Sequence, residues 1–435
     1  MNENLMNGLL GFAGKLQANR YLNAIKNGFT NTMPVVIVGS FCVLIANMVC
    51  NTTPGYLSVA NIPGMAWLEV LKPMFTAANY GTMNFLAITV CISVATELAE
   101  GYGFKDKAIP ALVVGCFISL CDTTATVAAN GETVLEAQTV SNVVASKYTA
   151  ASGLFVAMFV AIAAVELYIR LIRSGKLEIK MPDSVPYNVA HSFSVLFPAA
   201  VTLFAVSGFG LAFKLLTGMT LFDAIVKFIQ TPLSGILTHP LGIIALMFCI
   251  NFLWLFGIHG SQTLQAIYNA SFLEKFAENE AAYLNGTEIP NIVCSPFMSV
   301  FGTTTGCGMT GGLLIAILLF SKRDDYRTIA KLAVPCGIFN INEPVVFGIP
   351  IVLNPIFMIP FLATPMVSVA FGYFMTSIGF CGKMVVNAPW TTPPLLLPFL
   401  ASGGNFGAVV TQAITLVLAV LIYTPFVIAA NKMEN

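Results

Sequence analysis

Charge is what this sequence has least of. Only 9% of its 435 residues are charged, and 20 basic side chains balance 20 acidic ones. A soluble globular domain carries charge on about a quarter of its residues, so this composition excludes an ordinary soluble enzyme. The even balance argues against nucleic-acid binding, which requires a concentrated basic surface. Because 57% of the residues are hydrophobic, the chain is predicted to face lipid.

The sequence also lacks the common signatures of cofactor chemistry. It contains no P-loop, no Gly-x-Ser-x-Gly elbow, no Rossmann fingerprint and no His-Glu-x-x-His motif. Its ten cysteines form no Cys-x-x-Cys pair and have no histidine at zinc-ligand spacing, which is typical of buried packing residues. We therefore expect no metal, nucleotide or other cofactor.

Long uncharged windows are the most prominent feature of the chain. A spanning helix needs about 20 apolar residues, and at that length the apolar segments accommodate about ten crossings. Met1–Asn27 has helical apolar spacing rather than the short apolar core of a cleavable signal peptide, and it is predicted to be an interfacial helix. The predicted fold is an all-α membrane protein. The uncharged windows cover residues 27–68, 184–213, 228–273, 289–321, 344–382 and 384–431.

The first half of the chain is regular. Basic residues cluster in alternate connections between its apolar stretches, so the positive-inside rule places the amino terminus in the cytoplasm. Two polar segments, Arg170–Ser192 and Leu221–Thr231, are predicted to be amphipathic surface helices that link two lobes. Five conventional helices are predicted near residues 28–50, 80–98, 108–128, 148–169 and 192–216.

The second half is interrupted by glycine and proline. Residues 302–312 contain five glycines, and residues 337–355 contain three prolines. Inside a bilayer, non-helical backbone is tolerated only where protein buries it or where it lines a wet cavity. Two broken segments therefore indicate re-entrant hairpins around a substrate site, as in many transporters. The rival explanation is ordinary helix kinks with short loops, because glycine and proline are common in membrane helices.

Two ionisable residues stand out in these interrupted segments. Glu343 is the only charged residue between Lys331 and Lys383, and a carboxylate at membrane depth costs roughly 3 kcal/mol. His259 lies in a window without Asp, Glu, Lys or Arg. Together an imidazole and a carboxylate could bind a hydroxyl and manage its proton, which is typical of proton-coupled transport or of group transfer. The alternative for Glu343 is a carboxylate that snorkels from a loop end, and the alternative for His259 is an ordinary packing residue.

Aromatic and amide side chains near these two residues suit a sugar. Trp254 and Trp390 offer faces for a sugar ring, although tryptophans such as Trp67 commonly form interfacial belts. His239, which precedes Pro240, is a further substrate-binding candidate. Asp122 and His191 receive no assigned role. The amides available for hydroxyl groups are Asn251, Asn340, Asn342, Asn387 and Gln262.

At these motifs the chain resembles the membrane (IIC) component of bacterial sugar phosphotransferase systems, in the lactose, cellobiose and diacetylchitobiose branch. Gly-Ile-His-Gly at 257–260 and Asn-Ile-Asn-Glu-Pro at 340–344 are its most specific elements. The resemblance extends over nearly the whole length. Its other elements are Gly28-Phe29, Met33-Pro34, Gly39-Ser40, Met181 to Pro186, Ser192-Phe193, Pro198, Trp254 to Gly260 and Asn340 to Pro355.

The resemblance implies an organisation. It implies a ten-helix subunit of the bacterial inner membrane, with residues 1–190 serving homodimerisation. Residues 191–435 then contain the fifth helix, the second surface helix and a substrate lobe with two re-entrant hairpins, and the boundary between lobes lies at about 216–234. Lactose members often carry a fused phosphocysteine domain, whereas this chain stops at Asn435, so a separate cytoplasmic IIB partner is expected.

The resemblance also implies roles for individual residues. IIB, phosphorylated on cysteine, would transfer its phosphoryl group to the 6-hydroxyl of a bound β-linked disaccharide. Glu343 would be the base, and His259 would orient the hydroxyl or the incoming phosphate. Asn342, Trp254 and the hairpin at Gly302 would line the site.

Two other function classes stay open from the residues alone. In a proton-coupled secondary sugar transporter, Glu343 would carry a proton and no phosphate would be involved. In a membrane-embedded transferase, His259 and Glu343 would act on lipid substrates. The disaccharide reading predicts a binding site formed by the two interrupted segments.

Overall fold

The computed structural model describes residues 18–53, 58–127, 138–179, 181–182, 184–349, 351, 354 and 356–432. Most of the predicted interfacial helix at Met1–Asn27 lies outside these residues; within them, a helix begins at Arg20. The chain is overwhelmingly helical, which confirms the predicted fold class. Its longer α-helices are Arg20–Met48, Lys72–Met83, Leu86–Gly101, Ile109–Ser119, Leu154–Ser174, Leu196–Thr217, Pro240–Trp254, Gly260–Leu284, Thr310–Phe320, Asp324–Ile338, Met358–Ser377 and Phe406–Ala430.

Short helical pieces join or interrupt these long helices. They are the α-helical segments Ser146–Thr149, Tyr187–Ser194, Leu221–Ile225, Thr231–Thr238, Ser295–Phe297, Glu343–Gly348 and Leu396–Ala401, the 3-10 turns Val59–Asn61, Ala66–Leu71, Ala151–Gly153 and Cys307–Met309, and the π turns Val226–Gln230 and Met298–Gly302. Both π turns lie beside polar segments of the sequence. Such turns commonly mark functional or strained sites.

Several helices meet the requirements of membrane spans. Within the described residues six stretches are long and apolar enough to cross a bilayer, or eight if two bent helix pairs are each counted as one span. The protein is therefore a multi-pass membrane protein, although fewer segments meet this test than the ten crossings predicted. The six are Arg20–Met48, Ala151–Ser174, Val189–Thr217, Ser295–Phe320, Met358–Ser377 and Phe406–Ala430.

The chain divides into two compact units. One, here called the helical unit, contains Ala18–Pro34 and Gly81–Leu233. The other, here called the broken-helix unit, contains Val35–Tyr80 and Ser234–Asn435. The division after Leu233 falls inside the predicted lobe boundary, while Val35–Tyr80 groups with the second half of the chain.

The helical unit is built on closely packed apolar helices. Leu86–Gly101 and Leu154–Ser174 pack against each other and bury complete faces, including Val90 and Val94. Gly28 approaches the same helix so closely that an added Cβ would lie 2.5 Å from Val94 Cγ2. Close packing of this kind associates helices in lipid, where no hydrophobic driving force between helices remains.

One predicted helix of this unit is shorter than expected. The predicted helix at 108–128 ends at Ser119, and Thr124–Val127 instead forms an antiparallel strand pair with Gln138–Ser141. Asp122 accepts hydrogen bonds from the backbone N–H and hydroxyl of Thr124, at 3.0 and 2.7 Å. An Asp that bonds its neighbouring backbone competes with the helix, and the β-branched residues that follow favour a strand.

The helices of the broken-helix unit are interrupted at both glycine- and proline-rich segments that the sequence singled out. They are also interrupted at a further segment near the end of the chain. The first break, at 302–312, has left-handed backbone at Thr305, Gly306, Gly308 and Met309. The second includes residues 339–342, and the described residues 349, 351 and 354 after Gly348 are also non-helical. A third irregular stretch, residues 379–395, was not predicted as broken. Its Gly379, Gly382, Pro389, Pro393 and Pro394 are the sequence signal for it.

Candidate functional site

His259 stands at a turn between two helices of the broken-helix unit. Helix Pro240–Trp254 ends just before it, and helix Gly260–Leu284 begins directly after it. Gly257 makes the turn with φ of +74°, a conformation that glycine adopts without strain. At Gly260 an added Cβ would lie 1.9 Å from the carbonyl oxygen of Ile250, so only glycine allows the two helices to approach here. Both glycines of Gly-Ile-His-Gly therefore position the imidazole.

Glu343 begins a short helix that follows the second break. Helix Asp324–Ile338 stops at a turn in which Asn340 is left-handed, with φ of +62°, and helix Glu343–Gly348 starts after it. Asparagine tolerates this conformation better than most residues. Glu343 is therefore the first residue of the helix that follows the break.

The fold brings these two ionisable residues together. The distance from His259 Nε2 to Glu343 Oε1 is 4.0 Å. This is too long for a direct hydrogen bond, yet one oxygen atom placed between them would lie within hydrogen-bond reach of both. Their side chains are 33% and 46% exposed, respectively. The sequence predicts a Glu343 carboxylate in an apolar segment at membrane depth, whereas in the structure nearly half of its side chain is exposed. A group that receives a substrate must be accessible in this way.

The two tryptophans of the predicted site have different surroundings. Trp254 is only 3% exposed, and its ring lies 4.6 Å from the His259 ring, centroid to centroid. It supports the imidazole from behind and has no open face for a sugar. Trp390 is 54% exposed in the third irregular stretch. Of these two rings, Trp390 is the one that can stack on a ligand.

Asn342 and Asn251 are occupied in holding the first break. Asn342 donates from Nδ2 to the carbonyl of Cys307 at 2.8 Å, and the backbone N–H of Gly308 donates to Asn251 Oδ1 at 2.7 Å. Asn251 also donates to the carbonyl of Met247. Both side chains are buried. They satisfy backbone groups that a broken helix leaves unpaired, so they position the site and do not offer these atoms to a sugar.

Asn340 joins three segments. Its Nδ2 donates to the carbonyls of Trp390 and Thr392, at 2.6 and 2.8 Å, and its Oδ1 accepts from the backbone N–H of Thr305 at 2.7 Å. A carboxamide has two N–H donors, and both are used. Asn340 therefore links the first break, the segment that leads to Glu343, and the third irregular stretch, rather than binding hydroxyl groups as predicted.

Sequence reasoning missed two residues that complete this network. Gln412 donates to the carbonyl of Val300 and to the hydroxyl of Thr304, and it accepts from the backbone N–H of Leu395. Tyr423 donates to the carbonyl of Gly308 at 2.7 Å. Gln412 is the one amide side chain in helix Phe406–Ala430, and that isolated amide is the signal in the sequence.

The remaining candidates lie apart from the pair or serve the backbone. His239 caps the start of helix Pro240–Trp254, whose 15 residues separate it from Trp254 by roughly 22 Å. The structure therefore does not bring His239 to the pair. Gly302 is buried in the first break, where an added Cβ would meet Met247 Sδ at 2.8 Å. Asn387 is buried in the third irregular stretch, and Gln262 is exposed in the first turn after His259.

Another cluster of ionisable groups lies in the helical unit, around Asp106. Burial would raise the pKa of the Asp106 carboxyl, but hydrogen bonds from Tyr168, the Ala108 backbone and His191 outweigh burial and hold that pKa below its ordinary value. His191 Nε2 lies 3.1 Å from Asp106 Oδ1. Among the described residues no group of three or more His, Cys, Asp or Glu is arranged to hold a metal ion.

Comparison with known proteins identifies the family of the chain. The family model described as "Phosphotransferase system, EIIC" matches residues 26–365. The lichenan permease IIC component of Bacillus subtilis is 31% identical, covering 98% of this chain and 92% of that protein. The cellobiose-specific EIIC component of Geobacillus stearothermophilus is 31% identical, covering 97% and 92%, respectively.

A solved structure matches over almost the whole length. It is the transporter ChbC, the IIC component from the N,N'-diacetylchitobiose-specific phosphotransferase system, with a TM-score of 0.89 and 31% identity. The match covers 98% of this chain and 96% of that one. The family model, the relatives in sequence and the solved structure agree, and the chain belongs to the EIIC family of phosphotransferase-system sugar permeases.

Proposed function

We propose that this permease imports a β-linked disaccharide of the cellobiose or N,N'-diacetylchitobiose type and presents its 6-hydroxyl for phosphorylation. The observation that carries the proposal is the 4.0 Å gap between His259 Nε2 and Glu343 Oε1. A hydroxyl oxygen in that gap can donate to the carboxylate and accept from the imidazole. Relatives named for cellobiose and for N,N'-diacetylchitobiose support the class of sugar.

The proposed reaction transfers a phosphoryl group from a cytoplasmic IIB protein that carries it on a cysteine. The sulfur–phosphorus bond breaks as the bond from the 6-hydroxyl oxygen to phosphorus forms. The hydroxyl proton moves to Glu343, and the cysteine of IIB leaves as a thiolate. A positioned base typically accelerates such a step about 10²- to 10⁴-fold. No cysteine of this chain takes the phosphoryl group.

The surroundings of the pair suit a neutral sugar. The first and third irregular stretches are rich in small, uncharged residues, and Trp390 supplies an exposed ring. Hydrogen bonds and stacking bind a disaccharide without the need for countercharges. The amides behind the site hold the backbone, so this proposal assigns the stacking contact to Trp390.

The charges of the helical unit support a cytoplasmic amino terminus. Arg173 donates to the carbonyl of Tyr102 at 3.2 Å, and the guanidinium groups of Arg20 and Arg173 both lie within 5.0 Å of the Tyr102 ring. Lys105 and Lys107 belong to the loop that follows Tyr102. Basic residues therefore gather at one end of this unit. The positive-inside rule counts Lys and Arg rather than net charge, and it assigns such an end to the cytoplasm, where the phosphoryl donor works.

The test measures phosphorylation of cellobiose by permease in vesicles with a cysteine-phosphorylated IIB protein. We expect Glu343→Gln to lower the rate by a factor of about 100 or more and to retain much of the sugar binding, because an amide still forms hydrogen bonds. Glu278→Gln is the matched control, since that acid lies on helix Gly260–Leu284 in an ion pair with Lys275.

Two results would contradict the proposal. One is phosphorylation by Glu343→Gln at the rate of the unaltered protein. The other is cellobiose uptake that needs no IIB protein and collapses with the proton gradient, which would favour proton-coupled transport. A cellobiose derivative without the 6-hydroxyl is expected to compete for binding and to accept no phosphate.

A further inference from the structure

The imidazole of His259 has its two nitrogens in different environments. His259 is the N-cap residue of helix Gly260–Leu284, and the backbone N–H of Gln262 donates to Nδ1 at 3.3 Å. The other nitrogen, Nε2, faces Glu343. Nδ1 thus accepts a hydrogen bond from the first turn of the helix, and Nε2 faces the carboxylate of the candidate site.

A backbone N–H can only donate a hydrogen bond. When it donates to Nδ1, that nitrogen must present its lone pair, and a neutral imidazole then carries its proton on Nε2. The opposite tautomer would set two N–H groups against each other and leave a helix N-terminal donor unpaired. The first turn of the helix therefore selects the tautomer.

The ring is held in this orientation from two further directions. Trp254 packs against it from the preceding helix, with ring centroids 4.6 Å apart. Ser261 Oγ lies 3.2 Å from Nδ1 and 3.8 Å from the thiol sulfur of the buried Cys307. The serine hydroxyl lies beside Nδ1, where it can donate to the same lone pair while its oxygen accepts from the Cys307 thiol.

We propose that Ser261, together with the N–H of Gln262, fixes His259 with its proton on Nε2, which makes His259 a hydrogen-bond donor and leaves Glu343 as the proton acceptor. This inference rests on the proposed function of the pair. Ser261 is a positioning residue, because its proposed effect acts through the imidazole of His259. In the reaction the Nε2–H donates to the hydroxyl oxygen or to an oxygen of the arriving phosphoryl group, and the hydroxyl proton goes to Glu343.

The first test needs neither the donor protein nor turnover. Nitrogen-15 spectra of the imidazole groups, with His259 assigned by its loss in His259→Asn, report which nitrogen carries the proton. We expect an unprotonated Nδ1 and a protonated Nε2 in the unaltered permease. A protonated Nδ1 overturns the proposal, whether or not the permease supports phosphorylation.

The second test separates positioning from folding. A neutral hydrogen bond contributes about 1 kcal/mol, so we expect Ser261→Ala to lower the maximal rate of cellobiose phosphorylation about three- to tenfold and to leave its KM unchanged. Its spectrum should show a larger share of the other tautomer, and Ser261→Thr should restore both readouts.

Thr263→Val is the matched control, because the Thr263 hydroxyl in the same turn bonds to the carbonyl of His259 and not to its ring. It should keep the tautomer and the rate. Cellobiose binding to each purified variant reports whether the site is folded. A Ser261→Ala protein that binds cellobiose and keeps both the tautomer and the maximal rate of the unaltered permease refutes the role of Ser261. If the unaltered permease shows the expected tautomer but accepts no phosphoryl group from IIB, the proposed function fails while the tautomer assignment stands.

Discussion

The helical unit and the broken-helix unit use polar side chains in different ways. In the helical unit, polar groups gather near helix ends, as where Tyr168 and His191 bond to the loop residue Asp106. In the broken-helix unit, neutral amides such as Asn340 and Gln412 are buried among interrupted segments and bond to the backbone. A continuous helix pairs its own backbone N–H and C=O groups, whereas an interrupted helix in lipid needs other hydrogen-bond partners for them. The amide side chains are these partners and fix the breaks. The breaks bring His259 and Glu343 within 4.0 Å of each other.

The largest effect is expected where one amide joins three segments. Asn340→Ala removes one buried and two partly buried hydrogen bonds and leaves their partners unpaired, at about 1–3 kcal/mol for each group. We expect a thermal unfolding midpoint many degrees lower, with cellobiose binding lost or greatly weakened. Asn340→Asp keeps the acceptor for Thr305 but turns a carboxylate oxygen toward the carbonyls of Trp390 and Thr392, so it should lose at least as much as Asn340→Ala. An Asn340→Asp protein as stable as the unaltered permease would contradict the role of the two donated bonds.

A pair of glycine substitutions compares the two units directly. Gly306→Ala in the first break places a Cβ 2.4 Å from Asn342 Cγ at a residue whose φ is +88°. We expect it to destabilise the protein by about 3 kcal/mol, from left-handed strain and the displaced amide. Gly208→Ala, inside helix Leu196–Thr217 with open space around it, should be neutral or stabilising by up to about 1 kcal/mol. Thermal unfolding in detergent measures both, and similar losses in the two variants would contradict the difference between the units.

The smallest effect concerns charge at the end of the helical unit. Hydrogen bonds hold the pKa of Asp106 below its ordinary value in the folded state. The Asp106 carboxylate therefore stabilises the folded state at every pH above that ordinary pKa. The contribution is lost as the pH falls through the lowered pKa of the folded state. We expect Asp106→Asn to cost on the order of 1 kcal/mol near pH 7 and nothing once the acid is protonated. Unfolding midpoints of both proteins from pH 7 down to acidic pH test this, and a difference that persists when both are neutral would contradict it.

The sequence alone predicts which residues belong to the site, but it does not show what each side chain bonds to. Glu343 and His259 stood out because ionisable groups are rare in uncharged windows, and residues 302–312 could not form a regular helix. The sequence predicts that Asn340 and Asn342 are available for sugar hydroxyls, whereas in the structure both bond to the backbone, since a sequence shows that an amide is present and not which atom it bonds. The strand pair after Ser119 and the stretch at 379–395 were missed for a related reason. Short apolar segments with β-branched residues or prolines fit several local structures, and tertiary contacts choose among them.

The amino-acid sequence alone determined that this protein lies in a bilayer and that helices of its second half are interrupted. It also determined which acid and which imidazole lie in otherwise uncharged apolar segments. Those facts follow from the cost of placing charge or unpaired backbone in lipid, which acts on every segment locally. Only the tertiary structure decided that the acid and the imidazole meet, that four amides hold the breaks, and that the first turn of a helix selects the protonated nitrogen of His259. These depend on distances of a few ångströms between segments far apart in the chain, and such distances are set by packing.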